Sequence, residues 1–70
     1  MSKKLSTISK NIKKYRVKKG ISQDKLSKLA EVALYTITKI ESGATSNPRI
    51  ETVQKIANAL GVGVDDLLKG

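Results

Sequence analysis

The sequence predicts an all-α fold, a compact bundle of five short helices. Apolar residues recur at spacings of three and four along most of the chain, which is the period of an amphipathic helix. No segment shows the alternation of apolar and polar residues that is typical of a half-buried strand. Glycines and one proline interrupt the helical pattern at short intervals, so the connections are tight. Seventy residues provide one modest core, and we expect residues 1–70 to form a single domain.

The first two predicted helices are separated by a glycine. A helix over residues 7–19 would place three apolar residues on one face: Ile8, Ile12 and Tyr15. Gly20 suits the left-handed residue that ends a helix. Ser22 is a good N-cap for the second helix, which carries three apolar residues: Leu26, Leu29 and Ala30.

The third predicted helix begins near Leu34 and stops at Ser42-Gly43. Ile37 and Ile40 would lie on its buried side. Because the turn after the second helix is only three or four residues long, residues 22–43 have the layout of a helix-turn-helix.

Two further helices complete the bundle. Pro48 can only open the fourth helix, predicted over roughly residues 49–60, whose apolar stripe is Ile50, Val53, Ile56, Ala57 and Leu60. Gly63 is the predicted cap of a last short helix, which would turn three residues inward: Val64, Leu67 and Leu68.

The net charge of +8 is unevenly distributed. Residues 1–28 contain ten basic residues and one acid, whereas residues 29–70 contain four basic residues and five acids. The basic half favours a polyanionic partner, either nucleic acid or an acidic membrane surface. A solvated lysine-rich face that only keeps the domain soluble would give the same composition.

The composition excludes several kinds of site. Without cysteine or histidine the chain forms neither a disulfide nor a thiolate zinc site, and it lacks the commonest general base. Its acids are scattered over different predicted elements, and no pair has the spacing of a nucleophile and its base. We therefore expect a non-enzymatic protein without a cofactor, a metal or a small-molecule ligand. No apolar run suits a membrane span or a signal peptide, so the expected location is the cytoplasm, away from membranes.

Residues spread over most of the chain match the pattern of one family. They include Arg16, Gly20, Ser22, Gln23, Leu26, Ile37, Ile40, Glu41, Gly43 and Pro48. With these residues the sequence resembles the lambda-repressor-like, or xenobiotic-response-element, class of five-helix DNA-binding domains. The chain departs from the family at Glu31, where glycine is usual, and at Ser27, where alanine is usual. Glu31 must either adopt a left-handed backbone, at a cost of about 1 kcal/mol, or give the turn another shape.

The resemblance implies that the third helix lies in the major groove of double-stranded DNA. The implied base-reading residues lie on the face opposite the buried isoleucines: Leu34, Tyr35, Thr38 and Lys39. Lysine can donate to guanine, threonine can bond either way, and apolar groups can contact thymine methyls. For Leu34 the alternative is packing at the helix start, and for Lys39 it is a contact to phosphate only.

Further contacts to phosphate or to the groove are implied at six positions: Ser22, Gln23, Thr36, Ser42, Gly43 and Arg49. Ser22 and Gln23 begin a helix, where free amides and the helix dipole favour an anion. Arg49 resembles the loop arginine that some phage repressors place at a narrowed minor groove. Arg16 and Glu41 match a family ion pair that joins the first helix to the end of the third.

The resemblance also implies a regulator that acts as a homodimer on a palindromic operator, with half-sites about 34 Å apart. The expected dimer surface is drawn from the last two helices: Val62, Val64, Asp66, Leu67 and Lys69. Met1 to Leu5 could form a disordered arm. The alternative to a DNA-binding repressor is a protein-interaction module, such as an antitoxin-like domain that binds its partner through Leu34 and Tyr35.

Overall fold

The computed structural model describes residues 7–45 and 47–69. Across these residues the chain forms five helices and no strand: α1 (Thr7–Lys19), α2 (Gln23–Ala30), α3 (Leu34–Ser42), α4 (Ile50–Leu60) and α5 (Val64–Leu68). The predicted all-α bundle is confirmed, and its helix boundaries are within a residue of those expected. The suggested arm, Met1 to Leu5, lies outside the described residues.

All five helices contribute to one hydrophobic core. Its largest fully buried side chains come from every element: Ile12, Leu26, Ile37, Ile40, Val53, Ile56 and Leu67. Helices α1 to α4 are short because each is followed by a residue with a left-handed backbone: Gly20, Glu31, Gly43 and Gly61. At Gly20, with φ of 74°, the chain enters the left-handed region, and the next amide, that of Ile21, donates to Arg16 O at 3.3 Å.

Three apolar positions are more exposed than the helical pattern predicts. Ile50 and Leu68 are 63% and 53% exposed, so their predicted inward orientation is wrong, and Leu29 is also exposed. Ile50 is the first residue of α4, and the buried face of that helix begins one turn later, at Val53. Helix α5 is little more than one turn long. Adjacent residues of a helix point in different directions, so Leu68 is exposed where Leu67 is buried in the core.

Two polar side chains of α1 tie distant elements together. Ser9 is buried, and its hydroxyl donates to Ile40 O in α3 at 2.6 Å. Asn11 Nδ2 lies 2.8 Å from Leu67 O and 2.7 Å from Lys69 O, at the carboxyl end of α5. These bonds occupy carbonyls that the end of a helix leaves without partners. Asn11 therefore fixes α5 on α1.

Candidate nucleic-acid interface

The turn between α2 and α3 uses a left-handed residue. Glu31 has φ of 57° and ψ of 43°, and its amide donates to Lys28 O at 3.3 Å. The amide of Val32 then donates to Ser27 O at 3.0 Å. Of the two possibilities for this position, the structure shows the left-handed backbone. The helix-turn-helix geometry is therefore kept at a conformational cost borne by Glu31.

One face of α3 carries the four residues expected to read bases. Leu34 and Tyr35 are exposed, with 67% of the tyrosine accessible, whereas Thr38 and Lys39 are half-buried. The Lys39 ammonium donates to the Tyr35 hydroxyl at 3.0 Å. Since Ile37 and Ile40 are buried on the other side, the four residues form one surface at the start and middle of the helix.

Thr38 has a narrower hydrogen-bonding capacity than its residue type allows. Its hydroxyl donates to Tyr35 O at 2.9 Å, one turn earlier in α3. While this bond is made, only the lone pairs of the oxygen face outward. Thr38 can then accept a hydrogen bond from the amino group of adenine or cytosine but cannot donate one to guanine.

The first turn of α2 has a capped backbone, at the position where the sequence predicts contact with an anion. Ser22 Oγ accepts the amide of Lys25 at 3.0 Å, as an N-cap does. The amides of Gln23 and Asp24 belong to the first turn, which has no intrahelical acceptors. Gln23, expected at a phosphate, instead donates from Nε2 to Glu41 Oε1 at 3.1 Å. Its side chain therefore connects the start of α2 to the end of α3.

An ion pair holds α1 against α3. Arg16 Nε lies 2.6 Å from Glu41 Oε2, and its Nη2 lies 3.0 Å from Oε1. The two side chains are 13% and 4% exposed, and a third donor, Nη1, reaches Ile21 O at 2.8 Å. This is the pair that the resemblance implies. Because it is bidentate and largely buried, it fixes the orientation of α3 relative to α1.

The carboxyl end of α3 offers fewer donors than expected. The Ser42 hydroxyl donates to Lys39 O at 3.1 Å and accepts the amide of Ala44 at 3.3 Å. The amide of Gly43 donates to Ile40 O at 3.1 Å. These predicted phosphate donors already have partners within the chain. Thr36 remains half-buried at the amino-terminal side of the helix.

Arg49 lies beside the exposed face of α3. It is the exposed N-cap of α4, and its side chain makes no capping bond. An open cleft of about 240 Å³ separates it from α3 and is lined by Tyr35, Thr36, Lys39, Thr45, Pro48 and Arg49, among others. The structure thus brings the loop arginine and two base-reading candidates to one surface.

The expected dimer surface needs one correction. Leu67 is completely buried, so it cannot contact a second subunit, and its assignment is wrong. Val62, Val64 and Asp66 are half-buried and Lys69 is exposed. The Asp66 carboxylate is occupied in part by the amide of Gly63 at 2.9 Å. Leu68, which the helical pattern turned inward, is exposed at this end of the molecule.

Asn11 is the position that sequence reasoning missed. A single asparagine on the polar edge of a predicted helix gives no periodic signal, because its partners are main-chain carbonyls far away in sequence.

No group of three or more acidic, histidine or cysteine side chains lies close enough to hold a metal ion in the described part of the chain. Within the same residues, no helix has the length and apolar character required to cross a membrane.

The sequence matches the model of the helix-turn-helix family over residues 12–67. The chain belongs to this family. Its similarity to characterised members supports the assignment: it is 38% identical over 61 residues to the HTH-type transcriptional regulator SinR of Bacillus subtilis, an alignment that covers 87% of this chain and 55% of SinR. The chain spans about half the length of the curated relatives that it matches.

Two solved structures have the same fold. The amino-terminal DNA-binding domain of SinR from Bacillus subtilis superposes with a TM-score of 0.86 at 36% identity, covering 90% of this chain and 91% of that domain. A crystal structure of SinR, a master regulator for biofilm formation, in complex with DNA gives a TM-score of 0.85 at 37% identity, with 89% and 98% covered. The relatives are transcriptional regulators, and the family is one of DNA-binding proteins, not of enzymes.

Proposed function

We propose that this protein is a sequence-specific regulator that binds double-stranded DNA and represses transcription as a homodimer on a palindromic operator. The observation that carries the proposal is the exposed face of α3. Arg49 lies across a cleft from Tyr35, Thr36 and Lys39 of this face, and Gln23 at the start of α2 bonds to Glu41 near the carboxyl end of the same helix. Double-stranded DNA suits this surface, because its base edges lie in a groove between two phosphate backbones.

The geometry supports distinct roles along this surface. The first turn of α2 would bind a phosphate through its amides, because these have no acceptor within the helix. Leu34, Tyr35, Thr38 and Lys39 would contact base edges in the major groove. Arg49 would approach the adjacent minor groove, where a narrow A-tract has an enhanced negative potential. The solved complex of SinR with DNA supports the same class of partner.

A second subunit would bind through the end that contains α5. Val62, Val64 and Lys69 remain accessible there, and Leu68 replaces the buried Leu67 as the apolar contact. A two-fold dimer would place two α3 helices in successive major grooves, about 34 Å apart. Repression would follow if the operator overlaps a promoter, because the bound dimer would exclude polymerase. Such a protein acts where the DNA is, which is the cytoplasm in a bacterium.

Selection from a random duplex pool at low salt tests the proposal. We expect enrichment of a palindrome with two equal half-sites. Analytical ultracentrifugation of the selected duplex should show two chains bound, and a single half-site should bind more weakly. Failure to enrich any sequence would contradict specific recognition, and one chain per duplex would contradict the dimer.

Two substitutions connect this binding to the surface described. Lys39→Ala should weaken binding to the selected duplex more than to a scrambled one. Gln23→Ala should weaken both, because it removes the side chain that connects the proposed phosphate-binding start of α2 to Glu41 in α3. Lys55→Ala, on the exposed side of α4, is the matched control and should leave the ratio of the two affinities unchanged.

A protein-interaction module is the second candidate. Leu34, Tyr35 and Ile50 are apolar and exposed at the amino ends of α3 and α4, which a protein partner would cover. The two candidates differ in their response to salt, because release of counterions makes DNA binding steeply salt-dependent. Binding that is insensitive to salt, or unchanged in both Lys39→Ala and Gln23→Ala, would favour the protein partner.

A further inference from the structure

Tyr35 and Lys39 are joined to each other on the exposed face of α3. Lys39 Nζ donates to Tyr35 Oη at 3.0 Å and lies 4.9 Å from the centroid of the ring. The residues are four positions apart, a spacing at which side chains of a helix are neighbours. A lysine side chain is flexible by itself, with a strongly hydrated point charge. The phenol therefore gives this ammonium a defined position.

The bond to Tyr35 leaves the ammonium able to recognise a base. An ammonium group has three donors, and the phenol oxygen uses one of them. The remaining two match the paired acceptors of guanine, O6 and N7, in the major groove. A freely rotating Lys39 would more readily turn to the phosphates, which attract any cation.

The ring of Tyr35 has its own surface for recognition. The residue is 67% exposed although most of the ring is carbon. An aromatic face can cover the methyl group of thymine. The 4.9 Å between Nζ and the ring centroid is more than one base-pair rise of about 3.4 Å and less than two. This separation allows the ammonium and the ring to contact neighbouring base pairs.

We propose that Tyr35 and Lys39 act as one recognition unit for a thymine next to a guanine. The Tyr35 hydroxyl is a positioning group for the ammonium that contacts guanine, and the Tyr35 ring contacts the thymine methyl. This inference rests on the proposed function, because it assigns bases to the face of α3 that would enter the groove. It goes further in requiring that the two side chains contribute cooperatively.

The test uses the duplex selected by the full chain and two altered versions of it. In one, guanine at the contacted position is replaced by adenine, and in the other, thymine is replaced by uracil, which lacks the methyl group. Affinities are measured for Tyr35→Phe, Lys39→Met and the double variant. Tyr15→Phe in α1 and Lys55→Met in α4 are matched controls, and circular dichroism checks that each variant is folded.

We expect Lys39→Met to reduce the preference for guanine over adenine about tenfold, as loss of a paired base contact does. Tyr35→Phe should reduce the same preference at least about fivefold and leave the sensitivity to uracil intact, because the ring remains. The double variant should lose no more than Lys39→Met alone. The controls should match the wild type.

Two results would overturn the proposal. If Tyr35→Phe keeps the full preference for guanine, or if the selected duplex contains no thymine next to guanine, the joint recognition unit is wrong although specific DNA binding stands. If the wild-type chain selects no sequence at all, the proposed function fails and this inference fails with it.

Discussion

Glu31 occupies a position whose backbone conformation favours glycine over other residue types. It is the only non-glycine residue with a positive φ in the described part of the chain, at 57°. Glycine adopts this conformation without steric cost. Glu31→Gly should therefore raise the free energy of unfolding by about 1 kcal/mol, equivalent to roughly 4–8 °C in Tm for a domain of this size. Thermal unfolding followed by circular dichroism measures this shift.

Gly61→Ala is the reciprocal control for Glu31. Gly61 has φ of 74°, and a Cβ built on it would meet no atom within 4 Å. Any loss of stability therefore comes from the backbone conformation and not from a clash. We expect a destabilisation of about 1 kcal/mol. If Glu31→Gly is neutral while Gly61→Ala is destabilising, the glutamate side chain must compensate for its backbone cost.

The Arg16–Glu41 pair is a residue-scale feature that a single substitution should disrupt strongly. Both side chains are largely buried, at 13% and 4% exposed, and Glu41 also accepts from Gln23. Arg16→Met leaves a buried carboxylate without its cation, so we expect a loss of about 3–5 kcal/mol. The double variant Arg16→Met, Glu41→Leu should recover much of that loss, because no buried charge remains. Denaturant unfolding of the wild type, Arg16→Met, Glu41→Leu and the double variant gives the coupling energy, and a double variant less stable than either single variant would contradict this account.

At the scale of the helices, the amino end of α2 depends on one cap. Ser22 Oγ accepts the amide of Lys25 at 3.0 Å, and the Ser22 backbone is extended, as an N-cap requires. Ser22→Ala should lower stability by about 1 kcal/mol, whereas Ser22→Asp should keep the cap. Urea unfolding distinguishes them. Equal losses in both variants would show that the hydroxyl acts elsewhere.

The docking of α5 depends on Asn11. Its amide bonds to Leu67 O and Lys69 O have lengths of 2.8 and 2.7 Å. Asn11→Leu removes these donors and should cost about 1–3 kcal/mol, because carbonyls at the end of α5 lose their partners. Amide hydrogen exchange should then become faster in α5 than in α4. Uniformly faster exchange would mean that the loss is global and not confined to this helix.

Helix positions could be predicted from the sequence because local signals agree with packing. Gly20 and Ser22 mark boundaries through backbone chemistry that acts within a few residues, and Ile12, Ile37 and Val53 follow a helical period that matches their burial. The burial of Leu67 was predicted, but the exposure of Leu68 was not, because a helix of five residues is too short to define a face by period.

Contacts between elements that are distant in sequence were predictable only where the family resemblance included both residues. The Arg16–Glu41 pair was expected from the resemblance and not from the spacing of the two residues. The bonds of Asn11 and the attachment of Gln23 to Glu41 depend on the packing of α1 against α5 and of α2 against α3. Such bonds leave no periodic trace in the sequence.

At the scale of the whole molecule, most of the positive charge and the proposed base-reading residues lie on different helices. Helix α1 contains no acidic residue, and five of its lysines are exposed: Lys10, Lys13, Lys14, Lys18 and Lys19. Their field extends about 8–10 Å at physiological salt, so it acts on any nearby duplex whatever its sequence. By contrast, the exposed face of α3 carries a single cation, Lys39.

This separation predicts different effects for charge removal at the two places. Lys13→Gln with Lys14→Gln should slow association with selected and scrambled duplexes by the same factor, with the loss shrinking at high salt. Lys39→Met also removes a positive charge, but it should lower the ratio of the two affinities, because its contact is to a base. Stopped-flow association rates and equilibrium titrations at two salt concentrations measure both effects. If the α1 double variant changes the affinity ratio as strongly as Lys39→Met does, then α1 contacts the operator directly and the two surfaces are one.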